Sequence, residues 1–171
     1  MNETEQKIVA GARACLLAEG HTRTSVKRIA EYAGVNHGLI HHYFGSKEQL
    51  IIELIEQFQC AIKTRMPAPH GAPDRSFPPV WHLFREDSND RLLLEFLALA
   101  TESPRIAEKL REVVQSRRSY LQAMFGLTPE QSATLASVII GSLIHQQLDA
   151  DFPMETVVRQ VLDSFQPLAS A

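Results

Sequence analysis

Long apolar runs are missing from this sequence. None of its 171 residues falls in an apolar segment long enough to span a bilayer as a helix, so no membrane span is expected. The opening stretch MNETEQKIVAGARACLLAEG also lacks the basic region, apolar core and cleavage site of a signal peptide, and a cytoplasmic location is expected. Cysteine is scarce. Cys15 and Cys60 sit inside apolar helical patterns with no partner at metal-ligand spacing, which reads as reduced, buried thiols. There is no strand alternation and no internal repeat. No nucleophile–base set, paired carboxylates or glycine-rich phosphate loop stands out, so neither enzyme chemistry nor a cofactor is expected.

Net charge is also small, at −3, but it is unevenly placed. Residues 1–47 carry six Lys/Arg against four Asp/Glu, a balance of +2, with four histidines. Residues 48–171 carry eleven against sixteen, a balance of −5. A basic head on an acidic body suits a polyanion-facing segment.

What is present is helical periodicity. Residues 4–19 place Ile8, Ala12, Cys15, Leu16 and Ala18 on one stripe, and Gly20 ends that helix. A short helix follows Thr24–Ser25, is broken by Gly34, and gives way to a second that Asn36 can cap. After Gly45–Ser46 a longer helix carries Leu50, Ile51, Leu54, Ile55 and Phe58. Residues 66–79 hold five of the nine prolines and read as a connection. Helical pattern resumes at VWHLFRED. DRLLLEFLALATE, apolar nearly all round, is expected to be a central buried helix. Pro104 starts another, with Ile106, Leu110, Val113, Val114, Leu121 and Met124 facing inward, and Thr128–Pro129 opens a long one. Pro153 precedes the last. The expected fold is all-α, with about nine helices. Residues 1–47 are expected to form a head and residues 48–171 a body, with the helix at about 46–65 linking them.

Two short helices joined by a tight turn suit a helix-turn-helix. Ala30 is small where helices cross, Gly34 permits a left-handed turn, and Ile40 closes the small core; the spacings of four and six are those the motif requires. The continuation is more specific. Ile-Ala-x-x-Ala-Gly-Val at residues 29–35, followed by Phe-x-x-Lys-x-x-Leu at 44–50, resembles the head of TetR-family bacterial transcriptional regulators. The resemblance covers roughly residues 8–55.

It implies that residues 1–47 are a DNA-binding head and residues 48–171 a regulatory and dimerisation body of a homodimeric, ligand-responsive regulator, expected to be a repressor, whose partners are a palindromic double-stranded DNA operator and a small-molecule effector. It also implies roles. Ser25 and Lys27 meet phosphate, and Asn36, His37, Gly38, Leu39, His41 and His42 form the reading face. Tyr43 and Lys47 contact the backbone. The chain departs from the family pattern at Asn36–His37, at Leu39 where threonine or serine is usual, and at His41 where tyrosine is common. Leu39 can meet only an apolar group such as a thymine methyl, and the histidines suit guanine acceptors or phosphates. Four-residue spacing of His37 and His41 also permits a metal pair, but no carboxylate or cysteine completes it, so no metal site is expected. Protonating these histidines would be expected to strengthen DNA binding at mildly acidic pH.

In the body, Trp81, Phe84, Phe96, Tyr120, Met124, Ile144 and His145 are candidates to line an effector pocket, against the simpler reading as core. Ala133, Ala136, Ser137 and Gly141 permit close helix approach. With Val157, Val158, Val161, Leu162 and Phe165 they make the expected four-helix dimer interface. The competing reading is a helical protein-interaction module with a vestigial head.

Overall fold

The computed structural model describes residues 1–65 and 87–165, and among these it contains eight helices and no strand. The expected VWHLFRED helix, with Trp81 and Phe84, lies outside the described residues. The described residues divide into two compact units: residues 1–64 with 87–111, and residue 65 with 112–165.

The first unit begins with α1 (Glu3–Glu19), opened by a capping box in which Glu5 N–H donates to Asn2 Oδ1 at 2.9 Å and Asn2 N–H donates to Glu5 Oε2 at 2.8 Å. It buries Ile8, Val9, Gly11, Ala12, Cys15 and Leu16. Ala18, expected on that stripe, is exposed, because it falls on the far side of the helix from Leu16. Next come α2 (Val26–Ala33), α3 (His37–Phe44) and α4 (Lys47–Arg65), then α5 (Asp87–Glu102) and the start of α6 (Pro104–Phe125). Helix α1 packs on both α2 and α5, and α2 packs on α3.

Leu50, Ile51, Leu54, Ile55 and Phe58 of α4 are buried as expected. Cys60 is not: it is exposed, since it faces away from the Phe58–Ile62 side, while Cys15 is buried with its thiol 3.6 Å from Thr24 Oγ1. Helix α5 also departs from expectation. Leu92, Leu93, Phe96 and Leu99 are buried, but Leu97 is 39% exposed, so the helix has one inner face and is not enclosed all round.

In the second unit, α6 buries Val113, Leu121, Met124 and Phe125, whereas Val114 is exposed. Helix α7 (Pro129–Leu148) opens with Thr128 as cap: Gln131 N–H donates to Thr128 Oγ1 at 3.2 Å and Thr128 N–H to Gln131 Oε1 at 2.9 Å. Arg118 of α6 donates to the Pro129 carbonyl at 3.1 Å, holding the two helices together at this end. Helix α8 (Met154–Ser164) packs against α7.

Candidate nucleic-acid interface

The geometry of α2 and α3 follows from local chemistry. Ser25 caps α2, its Oγ accepting the Arg28 N–H at 3.2 Å, which leaves its own O–H free at an exposed helix N-terminus. Gly34 ends α2 at φ 65°, ψ 33°, and the Val35 N–H donates back to the Ala30 carbonyl at 3.0 Å. That six-residue closure needs a left-handed residue, which glycine supplies without strain. Asn36 caps α3, with Gly38 N–H donating to its Oδ1 at 2.8 Å. Ser46 caps α4, accepting the Gln49 N–H at 3.0 Å, and places Lys47 in the first turn.

Ile29, Ala30 and Ile40 are buried on the inner side of this pair. The outer side carries exposed Ser25, Lys27, Asn36, His37, Gly38, His41 and His42, with Leu39, Tyr43 and Lys47 half-buried. All ten residues expected to meet DNA therefore retain solvent access. Their internal contacts differ. His41 Nδ1 lies 3.1 Å from the Gly45 carbonyl. The His42 ring meets the Tyr43 ring edge-on, with centroids 4.9 Å apart. Gly38 has an intramolecular reason to be glycine: a Cβ there would come within 3.3 Å of Asn36 Oδ1.

The cations sort into tied and free. Arg28 is held by Glu19 and Glu31 and lies over the Tyr32 ring, 5.5 Å from its centroid. The Glu19 and Glu31 carboxylates hold its guanidinium above the usual range, and Arg28 in turn holds Glu19 below the usual carboxylate range. Lys7 pairs with Glu3 at 2.7 Å, and Arg23 Nε donates to the Glu19 carbonyl at 3.3 Å. Lys27 and Lys47 make no ion pair among the described residues. They stand at the starts of α2 and α4, on either side of α3 in sequence, each where helix N–H groups add positive potential.

Two carboxylates brace this head. Glu95 Oε2 accepts from His21 N–H at 2.7 Å and lies 2.9 Å from His21 Nδ1, joining the α1–α2 loop to α5. Beside Lys47, Glu48 accepts from Ser103 Oγ at 2.6 Å and Arg105 at 2.7 Å, and Arg105 also donates to Gln49 at 2.8 Å. The Ser103 hydroxyl, then the Arg105 guanidinium, hold the Glu48 carboxyl below its ordinary range. None of these braces is visible as a motif, because each joins residues 55 or more positions apart.

The residues expected to line an effector pocket are scattered in environment. Phe96 is enclosed in the first unit, edge-on to Phe58 at 5.6 Å. In the second, Met124 is buried and Tyr120 is half-buried, its phenol pushed up by desolvation. Ile144 is 41% exposed, and exposed His145 stacks on Phe152 with centroids 4.8 Å apart. Of the residues expected at the dimer interface, Val158 and Leu162 are already buried within the chain. Ala133, Ala136, Gly141, Val157, Val161 and Phe165 are half-buried, and Ser137 is exposed.

Residues 8–54 match the sequence model of the bacterial regulatory proteins of the tetR family. Over 54 residues the chain is 37% identical to the HTH-type transcriptional repressor AcnR of Corynebacterium efficiens, and equally to that of Corynebacterium glutamicum. These matches cover 32% of this chain and 29% of each relative, so the chain spans less than a third of the curated relatives it matches. Solved structures extend the likeness in fold. The multidrug binding protein EbrR complexed with imidazole superposes with a TM-score of 0.79 at 19% identity, covering 100% of this chain and 99% of that one. Salmonella enterica GusR does so at 0.72 and 24% identity, over 95% and 96%. Residues 8–54 are thus similar to the helix-turn-helix head of the bacterial regulatory proteins of the tetR family, and the chain shares its all-helical fold with these solved structures.

Proposed function

We propose that the protein is a DNA-binding transcriptional regulator, acting as a repressor, whose residues 1–47 are the part that meets the duplex. The observation that carries this is the division of α2 and α3 into a locked inner side and an open outer side, with two lysines that make no ion pair among the described residues, Lys27 and Lys47, in the first turns of α2 and α4. Phosphates bind there by charge and by helix N–H groups, which positions α3 to present its outer residues to base edges. A homodimer built on α7 and α8 presents two copies of α3 to a palindromic operator, in major-groove faces about 34–36 Å apart. A small-molecule effector bound in the body shifts the equilibrium between two states of that dimer, by no more than its differential affinity for them. The family fold and the naming of matched relatives as repressors support the reading.

Duplex binding measured as a function of salt tests it. The wild-type protein is expected to bind with log affinity falling linearly in log salt, and Lys47→Ala to weaken binding to all sequences and reduce that slope by about 1. Absence of salt-dependent duplex binding would overturn the proposal and favour a protein-interaction module.

A further inference from the structure

The outer face of α3 is less ambiguous than its residue types imply. Asparagine and histidine can each donate or accept, so a sequence containing both leaves open which bases they read. Here two internal hydrogen bonds remove that freedom. The Gly38 backbone N–H, 2.8 Å from Asn36 Oδ1, can only donate. It therefore holds the amide oxygen toward the helix backbone and leaves the NH2, a donor, as the end without a bond among the described residues. The Gly45 carbonyl, 3.1 Å from His41 Nδ1, can only accept. Nδ1 therefore carries the proton, and in the uncharged ring Nε2 is left as a bare lone pair, an acceptor. Among the described residues His37 makes no such bond and His42 packs on Tyr43, so Asn36 and His41 are the exposed polar residues of α3 and its cap whose polarity is set internally there.

Major-groove base edges are told apart by donor and acceptor positions. Only cytosine N4 and adenine N6 donate, while guanine O6 and N7, adenine N7 and thymine O4 accept. Resting on the proposed DNA-binding function, we propose that α3 and its cap read with fixed polarity: His41 selects a base that presents an amino group in the major groove, cytosine or adenine, and Asn36 selects a base presenting an acceptor. For His41 this is the reverse of the guanine contact its residue type suggests. The caps that shape the helix thereby also determine specificity.

The test is selection of bound duplexes from a random library at pH 8 by the full-length wild type, Asn36→Asp and His41→Ala. Asn36→Asp keeps a capping oxygen for the Gly38 N–H but replaces the donor with a second acceptor. Any added repulsion from phosphate lowers all affinities alike and leaves relative base preferences unchanged. Each half-site is expected to contain one position restricted to cytosine or adenine that His41→Ala relaxes, and one acceptor position that Asn36→Asp relaxes or inverts, each by about five- to tenfold. Removing the amino group of the selected base, as 2-pyrimidinone for cytosine or purine for adenine, should weaken wild-type binding by a similar factor and leave His41→Ala unaffected. Equal losses in both proteins, or a guanine preference that His41→Ala removes, would overturn the proposal while leaving DNA binding intact. Failure of the wild type to bind any duplex would instead overturn the functional reading beneath it.

Discussion

Gly11 stands where α1 and α2 approach most closely. A Cβ at this position would lie 2.6 Å from Ala33 Cβ and 2.7 Å from the Ala33 backbone nitrogen, so the two helices could not keep their spacing. In the middle of an isolated helix, alanine would be favoured over glycine by about 1 kcal/mol; here the clash is with backbone and decides the sign. Gly11→Ala is expected to destabilise the fold by about 1–3 kcal/mol in urea unfolding, and an unchanged midpoint would contradict the close approach. Ser25, Asn36 and Thr128, by contrast, were legible as caps, because a cap is satisfied by backbone within three residues of itself. The need for glycine at position 11 depends on what lies opposite, and no local pattern records that. The same holds for the proton on His41: its partner is four residues away, but only the ring's placement reveals it.

Whole helices were legible where glycine, proline and capping residues punctuate the pattern. Gly20, Gly34 and Gly45 end α1, α2 and α3 at positive φ, and Pro104 and Pro129 open α6 and α7. Which stripe of a helix finds a neighbour was less legible: Ala18, Cys60, Leu97 and Val114 read as interior and are exposed. Periodicity places apolar residues on a face but does not say how wide the facing element is. The N-terminus of α4 shows what polar pairing adds. Glu48 is held by Ser103 and Arg105, which depress its carboxyl from the ordinary value. A carboxyl whose folded pKa is lowered contributes stability above its unfolded pKa, about 4.3, and that contribution is lost as pH falls through the folded value. Arg105→Ala should therefore lower the urea midpoint at pH 7 and lower it less as the pH falls below about 4. A penalty equal at both pH values would show that Arg105 acts through packing and not through Glu48.

At the scale of the whole protein, the proposed homodimer needs a surface that a second copy would cover. Within the second unit α7 and α8 pack together, and Val158 and Leu162 are spent on that contact. The residues that would face a partner are Ser137, Gly141, Ile144 and Leu148 on α7, with Val157 and Val161 on α8. Leu148 is 84% exposed and Ile144 41%, so the α7 edge of the proposed interface is more apolar than its small residues alone suggest. Ile144 is thereby better placed for subunit contact than for enclosing an effector. Val161→Glu is expected to convert the proposed dimer to monomer in sedimentation velocity. Leu148→Glu, at a position too exposed to disturb the fold, should weaken the dimer without changing helix content. Intact dimers from both variants would refute this interface.

From the residues alone, the all-helical class, the positions of the turns and the helix-turn-helix frame of Ile29, Ala30, Gly34, Ile40 and Lys47 could be read, because each rests on short-range spacing and backbone conformation. Packing in three dimensions was needed to separate the tied Arg28 from the free Lys27 and Lys47, to reveal Glu95 and Glu48 as braces, and to assign donor and acceptor to Asn36 and His41. A side chain's charge and valence are available to any partner only after the folded chain has taken what it needs, and that remainder depends on neighbours that sequence distance does not disclose.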